Sequence, residues 1–197
     1  MATIHVIYGT THGQTRKIAE RIAYLARGRG HEVVLADAKD LSPQFSLDDS
    51  DAVFIGASIH IGKHQKYIEQ FVTTHRSELS FVPAAFFSVS MTAARSTREA
   101  REEALRYVAR FLKDTKWHPS VTATFGGALA YTQYGFLTRW LMRLISGRQG
   151  GDMDTSRDYE YTEWSEVDRF TDRLLSLLPI IEPARPPKVS ETEAISR

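Results

Sequence analysis

The sequence predicts an α/β protein with a doubly wound, five-stranded parallel sheet. Short apolar runs rich in β-branched residues alternate along the chain with amphipathic helical patterns. This alternation requires parallel strands joined by crossover helices. The run Asp51–Ala57 is continuously apolar rather than alternating, which is typical of a strand covered on both faces.

Each strand is predicted from its own apolar run. The expected strands are Ile4–Tyr8, Glu32–Ala36, Asp51–Ala57, Ala84–Val89 and Val121–Leu129. The strand order expected for this chain is 2-1-3-4-5, in which strands one, three and four are neighbours.

The helices are predicted from apolar residues at helical spacing. The first begins at about Thr15 and is stopped by Gly28 and Gly30. The remaining stripes are Tyr67, Ile68, Phe71 and Val72 in the second helix; Ala104, Leu105, Val108, Phe111 and Leu112 in a helix over Thr97–Lys116; and Val167, Phe170, Leu174 and Leu178 in a last helix that begins near Thr162. Glu163 and Glu166 favour the positive end of that last helix.

Two segments fall outside this alternation. Residues 130–161 form an insertion before the last helix, too long for a structureless loop in a compact domain. Its middle predicts an amphipathic basic helix over about 134–147, and residues 179–197 read as a proline-rich tail. The domain itself is therefore expected to span residues 1–178. The insertion helix could meet an anionic membrane surface where quinone is found, close over a ligand, join copies into a homo-oligomer, or simply pack on the domain.

Composition excludes several classes of function. The chain has 25 Lys and Arg against 24 Asp and Glu, a formal net charge of +1, so overall charge gives no case for nucleic-acid binding. It has no cysteine, which excludes disulfides, thiolate metal sites and cysteine nucleophiles. Asp152 and Asp154 are weak evidence for a metal, and none is expected. Neither a signal peptide nor a spanning run of roughly 18 apolar residues is recognisable, so we expect a cytoplasmic protein that can lie peripherally on the inner face of the membrane.

The most informative motif follows the first strand. Its residues are Thr10, Thr11, His12, Gly13, Gln14 and Thr15. A loop that opens a helix offers free backbone N–H groups, and the threonines add hydroxyl donors, as a phosphate monoester requires. Neither a Walker lysine nor a G-x-G-x-x-G pattern is present. The alternative is an ordinary threonine-capped helix start.

Two further loops are expected at the same edge of the sheet. One contains Ser58, Ile59, His60, Ile61 and Gly62 and ends at His64; the other contains Ser88, Val89 and Ser90. Ligands of doubly wound sheets bind at the carboxyl ends of the strands. A flat ring could lie between these two loops while its phosphate sits in the first loop. This arrangement of loops predicts FMN as the cofactor.

On these residues the chain resembles flavodoxins and, more specifically, the flavodoxin-like, FMN-dependent bacterial protoporphyrinogen oxidases. The resemblance spans roughly residues 4–178. The residues that carry it are the Gly56–Ile59 run with Gly62 and His64, Phe87–Val89 with Ala94 and Arg95, Trp117–Pro119, Gly127–Leu129 with Tyr131, the basic insertion, Gly150 and Gly151 with Asp154 and Thr155, and Tyr161, Thr162 and Trp164. The insertion and the run from Gly150 to Thr155 are the more specific of these. The resemblance implies the six-electron oxidation of protoporphyrinogen IX to protoporphyrin IX, with menaquinone or another respiratory quinone as acceptor.

Substrate contacts are expected from Arg95, His64 and Tyr131. Guanidinium binds carboxylates in a bidentate fork, so Arg95 suits a porphyrin propionate. Each residue has a plainer alternative: Arg95, Arg98 and Arg101 can pair with glutamates on a charged helix face, and His12, His60 and His64 can be exposed loop residues. No general base is singled out.

Three other functions fit the same fold: a flavodoxin-like electron carrier, an NAD(P)H-dependent quinone reductase, and a sensor that only binds FMN. Carriers usually present an acidic surface, and this chain is nearly neutral with a basic insertion. No separate nucleotide fingerprint is present, although such reductases often lack one.

Overall fold

The computed structural model describes residues 1–129 and 159–179. Eight strands lie within these ranges: β1 (Thr3–Gly9), β2 (Glu32–Asp37), β3 (Ala52–His60), β4 (Lys63–His64), β5 (Ala84–Ser90), β6 (Val121–Gly126), β7 (Ala128–Leu129) and β8 (Tyr159–Glu160). The helices are α1 (Gln14–Gly28), α2 (Lys66–Thr74), α3 (Arg98–Thr115) and α4 (Trp164–Leu175).

The main sheet runs in the order β2-β1-β3-β5-β6, and all four of these pairings are parallel. In register, Ile4 of β1 lies between Val33 of β2 and Ala52 of β3. This is the predicted doubly wound arrangement, with β5 and β6 as its fourth and fifth strands, and the fold class is confirmed.

Two apolar clusters cover the two faces of the sheet. Side chains of successive strand residues point to opposite faces, so Val6 and Phe54 join one cluster while Ile7 and Ile55 join the other. The first cluster is closed by α1 and α4, and the second by α2 and α3. All four of these strand side chains are fully buried, which explains the continuously apolar central strands.

Two strand boundaries differ from the prediction. β3 continues past Ala57 to His60 and folds back as a hairpin with β4, where a loop is predicted. The predicted fifth strand divides in two: β6 ends at Gly126, and β7 pairs with β8 in a separate two-stranded sheet. The crossing chain explains the break, because a Cβ on Gly126 would lie 2.3 Å from the Tyr161 carbonyl oxygen.

The helix stripes are confirmed except at two leucines. Leu105 is 59% exposed, so its predicted inward position is wrong. The buried stripe of α3 is Ala100, Ala104, Val108, Phe111 and Thr115, and Leu105 lies one residue off that stripe, about 100° around the helix. Leu178 packs against the first cluster as expected, but it lies beyond the end of α4 at Leu175.

The predicted basic helix over 134–147 and the proline-rich tail beyond Pro179 lie outside the described residues. Within the described ranges, none of the helices combines the length and apolar character needed to cross a membrane.

Candidate functional site

The carboxyl ends of β1, β3 and β5 meet at one edge of the sheet. Gly9 pairs with Ala57, and Ser58 pairs with Val89, so the three strands end side by side. The structure therefore brings together the three segments that the sequence singles out. A crevice between them is the natural ligand site of this topology.

The first segment, Thr10–Thr15, is a tight turn into α1. Gly13 adopts the left-handed conformation (φ 88°), and its N–H donates to the Thr10 hydroxyl at 2.9 Å. The Thr15 hydroxyl is fully buried and has no hydrogen-bond partner among the described residues. The first turn of α1 contains no acidic residue, so nothing there opposes an anion at the positive end of the helix. A buried donor without a partner, at a helix N-terminus, fits a bound phosphate.

The helix α2 supports this turn from below. A Cβ on Gly9 would lie 2.6 Å from Ile68 Cγ1 and 2.9 Å from the Tyr67 hydroxyl, so only glycine allows this close approach. Burial raises the pKa of Tyr67, and a backbone hydrogen bond from Thr10 opposes that rise. Tyr67 thus stays neutral and holds the start of the turn in place.

A polar cluster joins the first segment to the second. The Gln65 amide donates to the Thr11 hydroxyl at 3.1 Å and to the Ser58 hydroxyl, while its carbonyl oxygen accepts from the Ser58 N–H at 3.0 Å. Sequence reasoning missed Gln65, because it lies beyond the motif and its partner Thr11 is 54 residues away.

A second polar chain joins the first segment to the last strand of the sheet. The buried Gln14 amide donates to the Thr162 hydroxyl at 2.8 Å, and Thr162 donates to the Gly126 carbonyl at 2.7 Å. The sequence predicts a helix start near Thr162, and α4 begins two residues later, at Trp164. The Thr162 side chain also ties the turn to β6.

The second segment is the β3–β4 hairpin. Its two-residue turn has positive φ at both positions, 49° at Ile61 and 73° at Gly62. Gly62 adopts this conformation easily, whereas a β-branched residue rarely does. The Ile61 side chain is 87% exposed at the tip, so the hairpin presents an apolar group on a strained backbone.

His64 is buried at the base of the hairpin. Its Nε2 lies 2.9 Å from the Ser88 hydroxyl, and its ring meets Phe86 and Phe111 edge-on. Burial lowers the pKa of His64 to about 4, so the ring is neutral at pH 7. Only 7% of His64 is exposed, and its side chain fastens the hairpin to β5. The sequence predicts a substrate contact from His64, but in this position the ring is not placed to make one.

The two remaining loop histidines face each other. The rings of His12 and His60, both exposed, lie 6.1 Å apart in an edge-to-face arrangement. Burial, and then the charge of His60, lower the pKa of His12, which favours its neutral form. His12 belongs to the first segment and His60 to the second, so this contact also joins the two segments.

The third segment is more buried than expected. Ser88, Val89 and Ser90 all belong to β5 and have little exposure. The Ser90 hydroxyl accepts from the Ala93 N–H at 3.0 Å, and the Ser90 carbonyl accepts from the Gly127 N–H at 3.0 Å. The surface at this point is therefore formed by the turn Met91–Ala94.

The predicted substrate residues have three different outcomes. Arg95 is exposed just after this turn, whereas its neighbour Arg98 forms an ion pair with Glu102 at 2.8 Å, which confirms the helix-face alternative for Arg98. His64 is buried, as described above. Tyr131 lies outside the described residues.

Comparison with known families agrees with this geometry. The flavodoxin domain family matches residues 5–156. The chain belongs to the flavodoxin family. Membership implies a flavin cofactor, which suits the three-segment crevice.

Similar curated proteins carry a more specific name. Protoporphyrinogen IX dehydrogenase (quinone) of Leishmania major is 35% identical over 182 residues, which cover 92% of this chain and 78% of that protein. The Escherichia coli K12 protein of the same name is 32% identical over 173 residues, covering 87% of this chain and 94% of that protein.

Similar solved structures support the fold alone. Oxidised flavodoxin 1 from Bacillus cereus aligns with a TM-score of 0.55 at 16% identity, over 90% of this chain and all of that one. An NADH:FMN oxidoreductase in its apo form aligns with a TM-score of 0.54 at 12% identity, over 93% and 92% of the two chains.

Proposed function

We propose that this flavodoxin-family protein binds FMN and oxidises protoporphyrinogen IX to protoporphyrin IX, with menaquinone or a similar quinone as acceptor. The observation that carries the proposal is the crevice formed by three strand ends, where the buried Thr15 hydroxyl at the proposed phosphate end has no hydrogen-bond partner among the described residues. The chain is also related over most of its length to enzymes of that name.

The first segment suits the phosphate of FMN. Free N–H groups at the start of α1, together with the hydroxyls of Thr10, Thr11 and Thr15, would hold a monoester dianion without a lysine. The Gln14 and Gln65 side chains fix the turn from both sides and so reduce the ordering cost of binding. FMN, which ends in a phosphate monoester, fits this turn better than riboflavin, which has none.

The second and third segments suit the flat ring. In the proposed complex the hairpin residues Ser58–Gly62 lie against one side of the ring and the end of β5 against the other. The buried His64–Ser88 pair holds these two walls together, so the ring site is preorganised. When bound, the flavin supplies the acceptor for hydride equivalents, which the quinone then removes.

The substrate requires positioning more than acid–base chemistry. Protoporphyrinogen IX must lose six electrons and six protons, which three successive two-electron steps deliver to three quinones. No described side chain is assigned as a base. The role of the protein is to place the tetrapyrrole against the ring, and the exposed Arg95 guanidinium is suited to one of its propionates.

Quinone access belongs to the insertion in this proposal. The apolar stripe and arginines of 134–147 would bring the chain to an anionic membrane surface. Co-sedimentation with anionic vesicles checks this: deletion of residues 136–148 should abolish vesicle binding while FMN binding is retained. Equal co-sedimentation of the intact and deleted proteins would contradict it.

The experiment for the function follows porphyrin fluorescence under anaerobic conditions, with FMN-loaded protein, protoporphyrinogen and a menaquinone analogue. The expected result is porphyrin formation that requires both FMN and quinone. FMN-loaded protein that forms no porphyrin but oxidises NADH with quinone is an NAD(P)H-dependent reductase instead. Protein that does neither is a carrier or a sensor.

A further inference from the structure

A groove runs along the β6 edge of the sheet, between α3 and α4. Its floor is β6, the last strand in the order β2-β1-β3-β5-β6. Its volume is about 760 Å³. This is large enough for a bulky planar molecule.

Arginines face the groove from both walls. Arg95 and Arg101 lie on the α3 side, and Arg169 and Arg173 lie on the α4 side. Arg169 is paired with Glu166 at 2.5 Å. No ion pair holds Arg95, Arg101 or Arg173 within the described part of the chain.

The acidic side chains do not cancel this charge. Among the described residues Glu163 and Glu166 also line the groove, so four arginines face two glutamates there. With the Arg169–Glu166 pair set aside, three arginines remain against one glutamate. The groove is thus complementary to a ligand with more than one negative charge.

The groove also has an apolar side. Leu105, the leucine that lies off the buried stripe of α3, is 59% exposed and lines it beside Arg101. Phe125 and Phe170 form part of its base. A ligand that matches both features has an apolar body and carboxylates at its margin.

One end of the groove reaches the crevice. Ala93, Ala94 and Arg95 line it and continue directly from the turn after β5. Gly126 lines the same end, and the next residue, Gly127, is hydrogen-bonded to Ser90. A molecule in the groove would therefore meet the edge of the proposed ring site.

We infer that this groove binds the tetrapyrrole dicarboxylate: Arg95 and Arg101 on one wall hold one propionate, Arg173 on the opposite wall holds the other, and Leu105 covers the apolar body. The inference rests on the proposed function and adds the place where its substrate binds. The arginines act as binding residues that orient the macrocycle, while electron transfer takes place at the ring site.

The test measures binding of protoporphyrin IX to the FMN-loaded full chain by porphyrin fluorescence anisotropy. We expect Arg101→Gln and Arg173→Gln each to weaken binding about threefold and the double variant about tenfold, since exposed ion pairs contribute modestly. Arg106→Gln is the matched control: Arg106 is exposed on the same helix but outside the groove, and this variant should bind like the parent. The dimethyl ester of protoporphyrin lacks the carboxylates. It should bind the parent about tenfold more weakly than protoporphyrin IX does, and it should bind the parent and the double variant with equal affinity.

Steady-state kinetics separate this inference from the function itself. The double variant should raise the KM for protoporphyrinogen and leave kcat and FMN content unchanged. If the parent is active and the double variant has the same KM for protoporphyrinogen, the groove does not bind the substrate, and the proposed function is unaffected. If the double variant instead keeps the porphyrin affinity of the parent but sediments as a smaller species, the groove is a contact between copies of the chain, and the inference is overturned. An inactive parent overturns the function.

Discussion

At the scale of single residues, the Thr15 hydroxyl is expected to affect protein stability and FMN affinity in opposite directions. A fully buried hydroxyl without a partner costs free energy in the ligand-free protein. Thr15→Val removes that hydroxyl with little change of shape. We expect the free energy of unfolding of the FMN-free protein to stay the same or rise by about 1 kcal/mol, and FMN affinity to fall about tenfold or more, because a hydrogen bond to a charged phosphate is lost. Chemical denaturation and fluorescence titration with FMN measure the two effects.

Thr171→Val is the matched control. Thr171 is also fully buried, but its hydroxyl donates to the Val167 carbonyl at 2.8 Å, far along the chain from the phosphate turn. This substitution should leave FMN affinity unchanged. The account of Thr15 is wrong if both valine variants affect FMN binding equally.

His64 makes stability depend on pH. Its pKa is about 4 in the folded protein against an ordinary value of 6.5, so the unfolded chain takes up the proton first as the pH falls. The contribution of His64 is fully present above pH 6.5 and is lost progressively towards pH 4. The difference in pKa corresponds to about 3 kcal/mol.

Denaturation curves at several pH values, for the parent and His64→Gln, measure this contribution. The variant should be less stable at pH 7 and should lose less stability between pH 6.5 and 4. The other histidines whose pKa is lowered are present in both proteins, so the difference isolates His64. Parallel curves would contradict the buried neutral ring.

At the scale of elements, the β3–β4 hairpin places strain beside the ligand crevice. Ile61 has a φ of 49°, a conformation that costs an L-residue roughly 1–2 kcal/mol. Asparagine tolerates this conformation in two-residue hairpin turns. We expect Ile61→Asn to raise the free energy of unfolding by about 1 kcal/mol and to weaken FMN binding several-fold, because the apolar tip is lost.

Gly62→Ala is the control for the hairpin, because it should change stability in the opposite direction from Ile61→Asn. At a φ of 73° the added Cβ should lower stability by about 1 kcal/mol. Equal stability of Ile61→Asn and the parent would show that the turn is not strained.

The same hairpin shows what local patterns predict and what they miss. The apolar run of β3 is visible in the sequence, but its extension through Ser58–His60 is not, because Ile-Gly is a weak hairpin signal compared with Asn-Gly. The turn between β1 and α1 is predicted correctly from its threonines and glycine, and its role as a phosphate site stays a prediction. Its supports are not, since Gln14 and Thr162 are 148 residues apart and neither belongs to a periodic pattern.

At the scale of the whole molecule, the sheet order accounts for the site. Because β1, β3 and β5 are neighbours, three segments distant in the sequence end at one edge. The alternation of strands and helices predicts that order, and with it the convergence of the three segments. The groove along β6 could not be predicted, because its arginines come from α3, the residues just before it and α4, and the separation of the two helices depends on packing across the sheet.

The central claim is that protoporphyrinogen delivers its electrons to a flavin held in this crevice. The measurement that tests it most directly is an anaerobic titration of FMN-loaded protein with protoporphyrinogen, without quinone, followed by flavin absorbance and porphyrin fluorescence. The account predicts that the flavin is reduced as porphyrin forms, with one porphyrin for three flavins, and that added menaquinone analogue restores the oxidised flavin. A flavin that stays oxidised with protoporphyrinogen, yet is reduced by NADH, would contradict it.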